Sequence, residues 1–159
     1  MTTIQNPESP VRSAVDPQTA AAAEAAIAAV PTGLLIDGGW RDAASGKRFD
    51  VENPATGATI ATVAHGGEDD AAEAIAAAGR AQRDWARTAP RERGEILRRA
   101  YEATMARREE LALIMTSEMG KPLAEARGEV AYAAEFLRWF GEEAVRVGGD
   151  HTSSGDGAN

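Results

Sequence analysis

The sequence predicts an α+β chain, a short antiparallel β-meander followed by about four α-helices. Three observations carry this reading. Between Leu34 and Val63, short apolar and β-branched runs alternate with turns rich in Gly, Asn and Pro. From Glu68 to about Val147, apolar residues recur at helical spacing instead. No apolar run approaches the ~20 residues needed to span a bilayer, which excludes a helical membrane anchor in this stretch.

The first 32 residues form a leader, expected to be flexible or weakly helical. Pro7, Pro10, Pro17 and Pro31 punctuate it, and its centre reads TAAAAEAAIAAV. Alanine favours helix, and Asp16 before Pro17 suits an N-cap and a first helical position. Only Ile27 and Val30 offer anchors by burial. The main body is expected over 33–149. Leu34-Leu35-Ile36 reads as a strand and Asp37-Gly38-Gly39 as a turn. Phe49 and Val51 alternate with Asp50 and Glu52, the period of a half-buried strand. Asn53-Pro54-Ala55-Thr56-Gly57 is a turn, because a residue before proline is pushed out of the helical region. Thr59 to Val63 supplies the third strand.

The first helix of the body opens on Glu68, Asp69 and Asp70, where the helix dipole favours negative charge. Its apolar row is Ala71, Ala74, Ala78, Ala81 and Trp85, with Ile75 beside it. Pro90 starts a second helix that uses Ile96, Leu97, Ala100 and Tyr101. A third carries Leu111, Ile114 and Met115 and stops at Gly120. In the fourth, Ala126, Val130, Ala133, Leu137, Phe140, Ala144 and Val147 recur at alternating spacings of four and three. Tyr132, Phe136 and Trp139 form an adjoining row, so the apolar arc is wider than one neighbouring helix covers. The last ten residues, 150–159, are small and polar and are expected to be a disordered tail.

Composition narrows function. Seventeen basic against 25 acidic residues leave a net charge of −8, which opposes nucleic acid and anionic membranes. Cysteine is absent, excluding disulfides, thiolate metal sites and a cysteine nucleophile within these 159 residues. Of the residues, 35 are Ala and only 25 are Leu, Ile, Val or Phe, so any core is thin. The start lacks a basic segment leading into an apolar one, so a cytoplasmic location is expected.

The residues that could carry chemistry are few. His65 and His151 lie in loop-like segments 86 positions apart. No HExxH, CxxC, Walker loop or GxGxxG occurs, and the Gly-rich tail precedes no helix that could hold a phosphate. Nine arginines between Arg80 and Arg108 interleave with Asp84, Glu92, Glu95 and Glu102 at helical spacings, the pattern of a paired, solvated surface. The stretch Glu118-Met119-Gly120-Lys121-Pro122 reads as an inter-helix corner.

Four motifs in order, I-x-G-x-W at Ile36, N-P-A-T-G at Asn53, E-x-G-K-P at Glu118 and E-V-A-Y-A-A-E-F-x-x-W at Glu129, resemble the start of the aldehyde dehydrogenase superfamily. The last two look most like NAD(P)-dependent succinate-semialdehyde dehydrogenases. The resemblance covers about residues 34–149 and implies the N-terminal part of the cofactor domain of an α/β enzyme. In that family a cysteine attacks the aldehyde, hydride passes to the nicotinamide, and a glutamate activates water against the thioester, with an asparagine stabilising the oxyanion. The resemblance puts these groups, and the NAD or NADP site, beyond the residues printed here. It therefore assigns no catalytic or cofactor-binding residue to this chain and implies that the chain alone is inactive. It implies a small-molecule aldehyde as substrate, a homo-oligomeric full-length parent, and one minor site, a structural monovalent cation held with the help of Glu118. The competing readings are a non-catalytic helical interaction module working through Phe136, Trp139 and Phe140, and a partly molten product.

Overall fold

A computed structural model describes residues 16–149. Its elements run α1 (Pro17–Ala28), β1 (Leu34–Ile36), β2 (Gly39–Arg41), β3 (Arg48–Asn53), β4 (Ala58–Ala64), α2 (Glu68–Trp85), α3 (Pro90–Ala106), α4 (Arg108–Met119) and α5 (Leu123–Glu143). The α+β architecture is the one the sequence predicts: from Leu34 on, strands are followed by four helices, with α1 preceding them in the leader. The tail 150–159 and the leader up to residue 15 lie outside the described residues.

Within the leader, residues 17–28 form α1. The Asp16 carboxylate accepts the backbone N–H and the hydroxyl of Thr19, each at 3.0 Å, while Pro17 supplies a preset φ at the first turn. The helix lies against α4 and β4 and buries Ala26. Small side chains make this close seat possible, and Ile27 and Val30 line the seam with Ile114.

The strands differ from a three-stranded meander in one respect. They form two separate antiparallel hairpins, β1–β2 and β3–β4. Asp37 and Gly38 both have positive φ, 53° and 78°, which makes a two-residue turn whose twist matches the strands. Gly39 to Arg41 is thereby returned alongside β1, with Leu35 opposite Trp40. The second hairpin turns at Asn53, whose carbonyl accepts from Gly57 N–H at 2.8 Å and whose side chain accepts from Ala55 N–H at 2.9 Å. The hairpins are tied rather than merged: Ala64 N–H, at the end of β4, donates to Thr32 O just before β1 at 2.8 Å, while His65 N–H to Lys47 O, also 2.8 Å, extends the β3–β4 pairing by one step.

The core sits between α4 and α5. Ala112, Ala126 and Val130 are buried there, with Leu111, Met115 and Leu123 packed on them. Gly120, at φ 73°, ends α4 in the left-handed region and turns the chain back into α5. α3 crosses α5 where Gly94 meets Gly141; a Cβ on Gly94 would stand 2.7 Å from the Gly141 carbonyl oxygen. Among the described residues no large side chain is fully buried, as expected from the small number of bulky aliphatics.

The α2 row is a correction. Ala71, Ala78, Ala81 and Trp85 are exposed, Ala74 is half-buried, and Ile75 stands 73% exposed. The helix buries Asp70 and Ala77 instead; Ala74, Ala78 and Ala81 do face the β1–β2 hairpin, but across an open groove that their methyl groups do not fill.

Candidate functional site

Two features stand out: the corner between α4 and α5, and the outer face of α5. At the corner, two motifs more than sixty positions apart come together. A Cβ on Gly120 would lie 3.2 Å from Cγ of Pro54, so the E-x-G-K-P corner rests directly on the N-P-A-T-G turn. Lys121 reaches along α5 to pair with Glu129. Glu118 is exposed and borders a cavity of about 50 Å3 between α1, β3, β4 and α4. It is the one acidic side chain lining that cavity, together with Thr32, Val51 and aliphatic groups. The Thr32 hydroxyl is already engaged by the Arg48 guanidinium at 2.7 Å. Among the described residues no three His, Asp or Glu side chains converge as a metal cluster. A lone carboxylate beside apolar groups is too poor a donor set for Ca2+ or Zn2+.

On α5 the inner face carries Ala126, Val130 and Ala134, all buried. Tyr132, Phe136, Trp139 and Phe140 stand outward, 66%, 48%, 62% and 55% exposed. Three of the rings form a ladder: Tyr132 meets Phe136 edge to face at 5.0 Å, and Phe136 stacks with Phe140 at 6.5 Å, with Trp139 beside them. Four exposed aromatics in one row are more apolar surface than scattered single residues require. The Glu135–Arg138 and Glu143–Arg146 pairs flank the row.

The start of α2 resembles an anion site only superficially. Gly66 and Gly67 follow β4 and lead into the helix, but the first turn holds Glu68, Asp69 and Asp70. Asp70 fills the position itself. It accepts Gly67 N–H at 2.9 Å and Ala44 N–H at 3.0 Å, with the Arg41 guanidinium at 3.3 Å. The Gly67 and Ala44 amides, in that order, hold its carboxyl below the usual value. A pyrophosphate would meet three carboxylates there, so these residues do not fit NAD(P). The sequence shows Asp70 as one of three dipole-facing acids; its distinct role shows only in its spacing of three from Gly67, since Ala44 is distant in the chain.

The remaining candidates are not assembled into a site. His65 packs its ring edge-on to Phe49 at 5.7 Å, and His151 lies outside the described residues. Within the arginine-rich stretch, Arg98 pairs with both Glu95 and Glu102, and Arg87 with Asp84. No described helix is long and apolar enough to cross a membrane.

The fold and these surfaces define an α+β unit with an uncovered aromatic face and no assembled catalytic constellation among the described residues. The chain belongs to the aldehyde dehydrogenase family, whose model matches residues 40–159. It is 60% identical over 100 residues to a succinate-semialdehyde dehydrogenase of Paenarthrobacter nicotinovorans, covering 63% of this chain and 22% of that one. It is 48% identical over 115 residues to a glutarate-semialdehyde dehydrogenase of Pseudomonas aeruginosa, covering 72% of this chain and 24% of the relative. Among solved structures, betaine aldehyde dehydrogenase of Staphylococcus aureus in complex with NAD+ superposes with a TM-score of 0.81 at 29% identity, covering 86% of this chain and 27% of that one. The chain thus spans about a quarter of the length of the relatives it matches.

Proposed function

We propose that this chain is the N-terminal portion of an NAD(P)-dependent aldehyde dehydrogenase that oxidises succinate semialdehyde to succinate. The observation that carries the reading is the 60% identity with a succinate-semialdehyde dehydrogenase over 100 residues. The role of these residues is structural: α5 presents its ring ladder to the remainder of the cofactor domain, and the catalytic cysteine comes from elsewhere, since these 159 residues contain none. On this reading the chain by itself reduces neither NAD+ nor NADP+ in the presence of succinate semialdehyde.

A domain swap tests it. The matched segment of the Paenarthrobacter enzyme is replaced by residues of this chain, and NAD(P)+ reduction is followed with succinate and glutarate semialdehydes. Activity with a preference for succinate semialdehyde supports the reading; a soluble, folded chimera without aldehyde oxidation overturns it. We further propose that Glu118 helps to hold a structural monovalent cation; the reading rests on the resemblance of the E-x-G-K-P corner to the family and on the exposed carboxylate there, with no second carboxylate among the described residues on the cavity it borders. A Tm that rises with Na+ or K+ in the native chain and not in Glu118→Gln supports this, and equal responses overturn it.

A further inference from the structure

The helix α2 is attached to the molecule differently from its neighbours. Of its 18 residues, only Asp70 and Ala77 are buried. By contrast α4 buries Ala112, Leu113 and Ser117 in 12 residues, and α5 buries Ala126, Val130 and Ala134. α3 buries no residue fully, but it is seated directly on α5 at the Gly94–Gly141 crossing. Between α2 and the β1–β2 hairpin lies an open groove of about 320 Å3, walled by Leu35 and Ile36 on one side and Ala74, Ala78 and Ala81 on the other. Side chains that would fill it are replaced by methyl groups, so little apolar area is removed from water along this seam.

What holds α2 is polar. At its start, Asp70 binds Ala44 N–H and Arg41, and Arg41 also meets Glu73 at 2.7 Å. In its middle, Arg80 meets Asp37 of the hairpin turn at 3.0 Å. Past its end, Arg93 of α3 donates to the carbonyls of Trp85, Ala86 and Thr88, at 2.9 to 3.0 Å. The Arg80–Asp37 pair is exposed and contributes little. Arg41 Nε is buried without a partner, so even the latch residue is imperfectly satisfied.

We propose that α2 is a strap latched at Asp70, which opens as a unit away from the β1–β2 hairpin while α3, α4 and α5 stay folded. Arg93 forms the hinge, because it binds the carbonyls on which the chain leaves α2. Opening uncovers the half-buried Ile36 on the wall of the groove, where Leu35 is already 58% exposed. The inference rests on packing alone and is independent of the enzymatic reading above.

Hydrogen exchange with peptide-resolved mass spectrometry on the full 159-residue chain tests it. Peptides of α2 are expected to exchange at least about tenfold faster than those spanning 112–117 and 126–134. Asp70→Asn should raise the α2 rate by about fivefold or more and leave the other two within about twofold. Ala78→Leu, which fills the groove, should slow exchange in α2. Protection of α2 equal to that of α4 would overturn the proposal. So would an equal acceleration of all three regions by Asp70→Asn, or an unchanged α2 rate in Ala78→Leu.

Discussion

The Gly94–Gly141 crossing sets how closely α3 approaches α5, and it yields a prediction whose sign depends on geometry. Alanine in place of a mid-helix glycine normally gains about 0.8–1 kcal/mol from backbone entropy. At Gly128 a new Cβ meets nothing within 4 Å, so Gly128→Ala should gain that full amount. At Gly94 the new Cβ stands 2.7 Å from the Gly141 carbonyl oxygen, well inside ordinary contact. The obstacle is backbone held in a helix, so the two helices must separate by roughly half an ångström or more. Overpacking of this kind costs about 2–3 kcal/mol, leaving Gly94→Ala destabilised by about 1–2 kcal/mol. Gly141→Ala is intermediate, with its Cβ 3.3 Å from both the Gly94 carbonyl and the Leu97 Cβ, and should be near neutral. For a chain of this size 1 kcal/mol corresponds to about 2–4 °C in Tm. Thermal unfolding followed at 222 nm should show Gly128→Ala above the native chain by roughly 2–4 °C and Gly94→Ala below it by roughly 3–6 °C. If Gly94→Ala melts at or above the native temperature, the close crossing is wrong.

Three further outcomes follow from the same structure. Trp139→Ser should change the stability of the 159-residue chain by no more than about 0.5 kcal/mol, while Val130→Ala, in the core, should cost about 2 kcal/mol; urea titration compares them. Gly120→Ala should cost about 1–3 kcal/mol, because φ 73° and the 3.2 Å approach to Pro54 both exclude a side chain, and urea titration again reads the loss. Asp70 has a carboxyl pKa lowered by the Gly67 and Ala44 amides, with Arg41 adding to it and Glu73 nearby. Its stabilisation is therefore complete above its ordinary value of 3.8 and is lost as pH falls through the lower, folded-state value. Acid titration followed by exchange in α2 should show native and Asp70→Asn chains differing at pH 6 and converging toward pH 2; a constant difference would refute the sign.

Legibility varied with how local each interaction is. The Asp16 cap, the Gly120 stop and the Asn53–Gly57 turn were readable because each is set by residues within a few positions of one another. The strand at Gly39–Arg41 was missed because it depends on a turn geometry, positive φ at both Asp37 and Gly38, that only just leaves room for three paired residues. The α2 row was legible in direction, since Ala74, Ala78 and Ala81 face the hairpin, but not in burial: methyl groups leave the seam open, and the tight contact falls to Asp70 binding Ala44, 26 positions away. At the candidate site, Glu118 and the α5 rings were visible as residues. Their setting was not, since Pro54 against Gly120 is a long-range contact that no periodicity records.

The α5 helix ties fold to function. A helix in a self-contained small domain needs one apolar stripe, and its opposite side faces water. This one has two: small residues, Ala126, Val130 and Ala134, turned inward, and large rings, Tyr132, Phe136, Trp139 and Phe140, turned outward. The division by size is informative. Small inner residues let α4 and α5 approach closely, and Gly141 does the same for α3. The bulky groups, which carry most of the burial energy available to so alanine-rich a chain, are spent on the side these three helices leave open. A sequence selected only for the stability of these 134 described residues would place its aromatics the other way round. That inversion agrees with a chain spanning about a quarter of its relatives, and it is the physical ground for the proposal that α5 offers its outer surface to the rest of the domain.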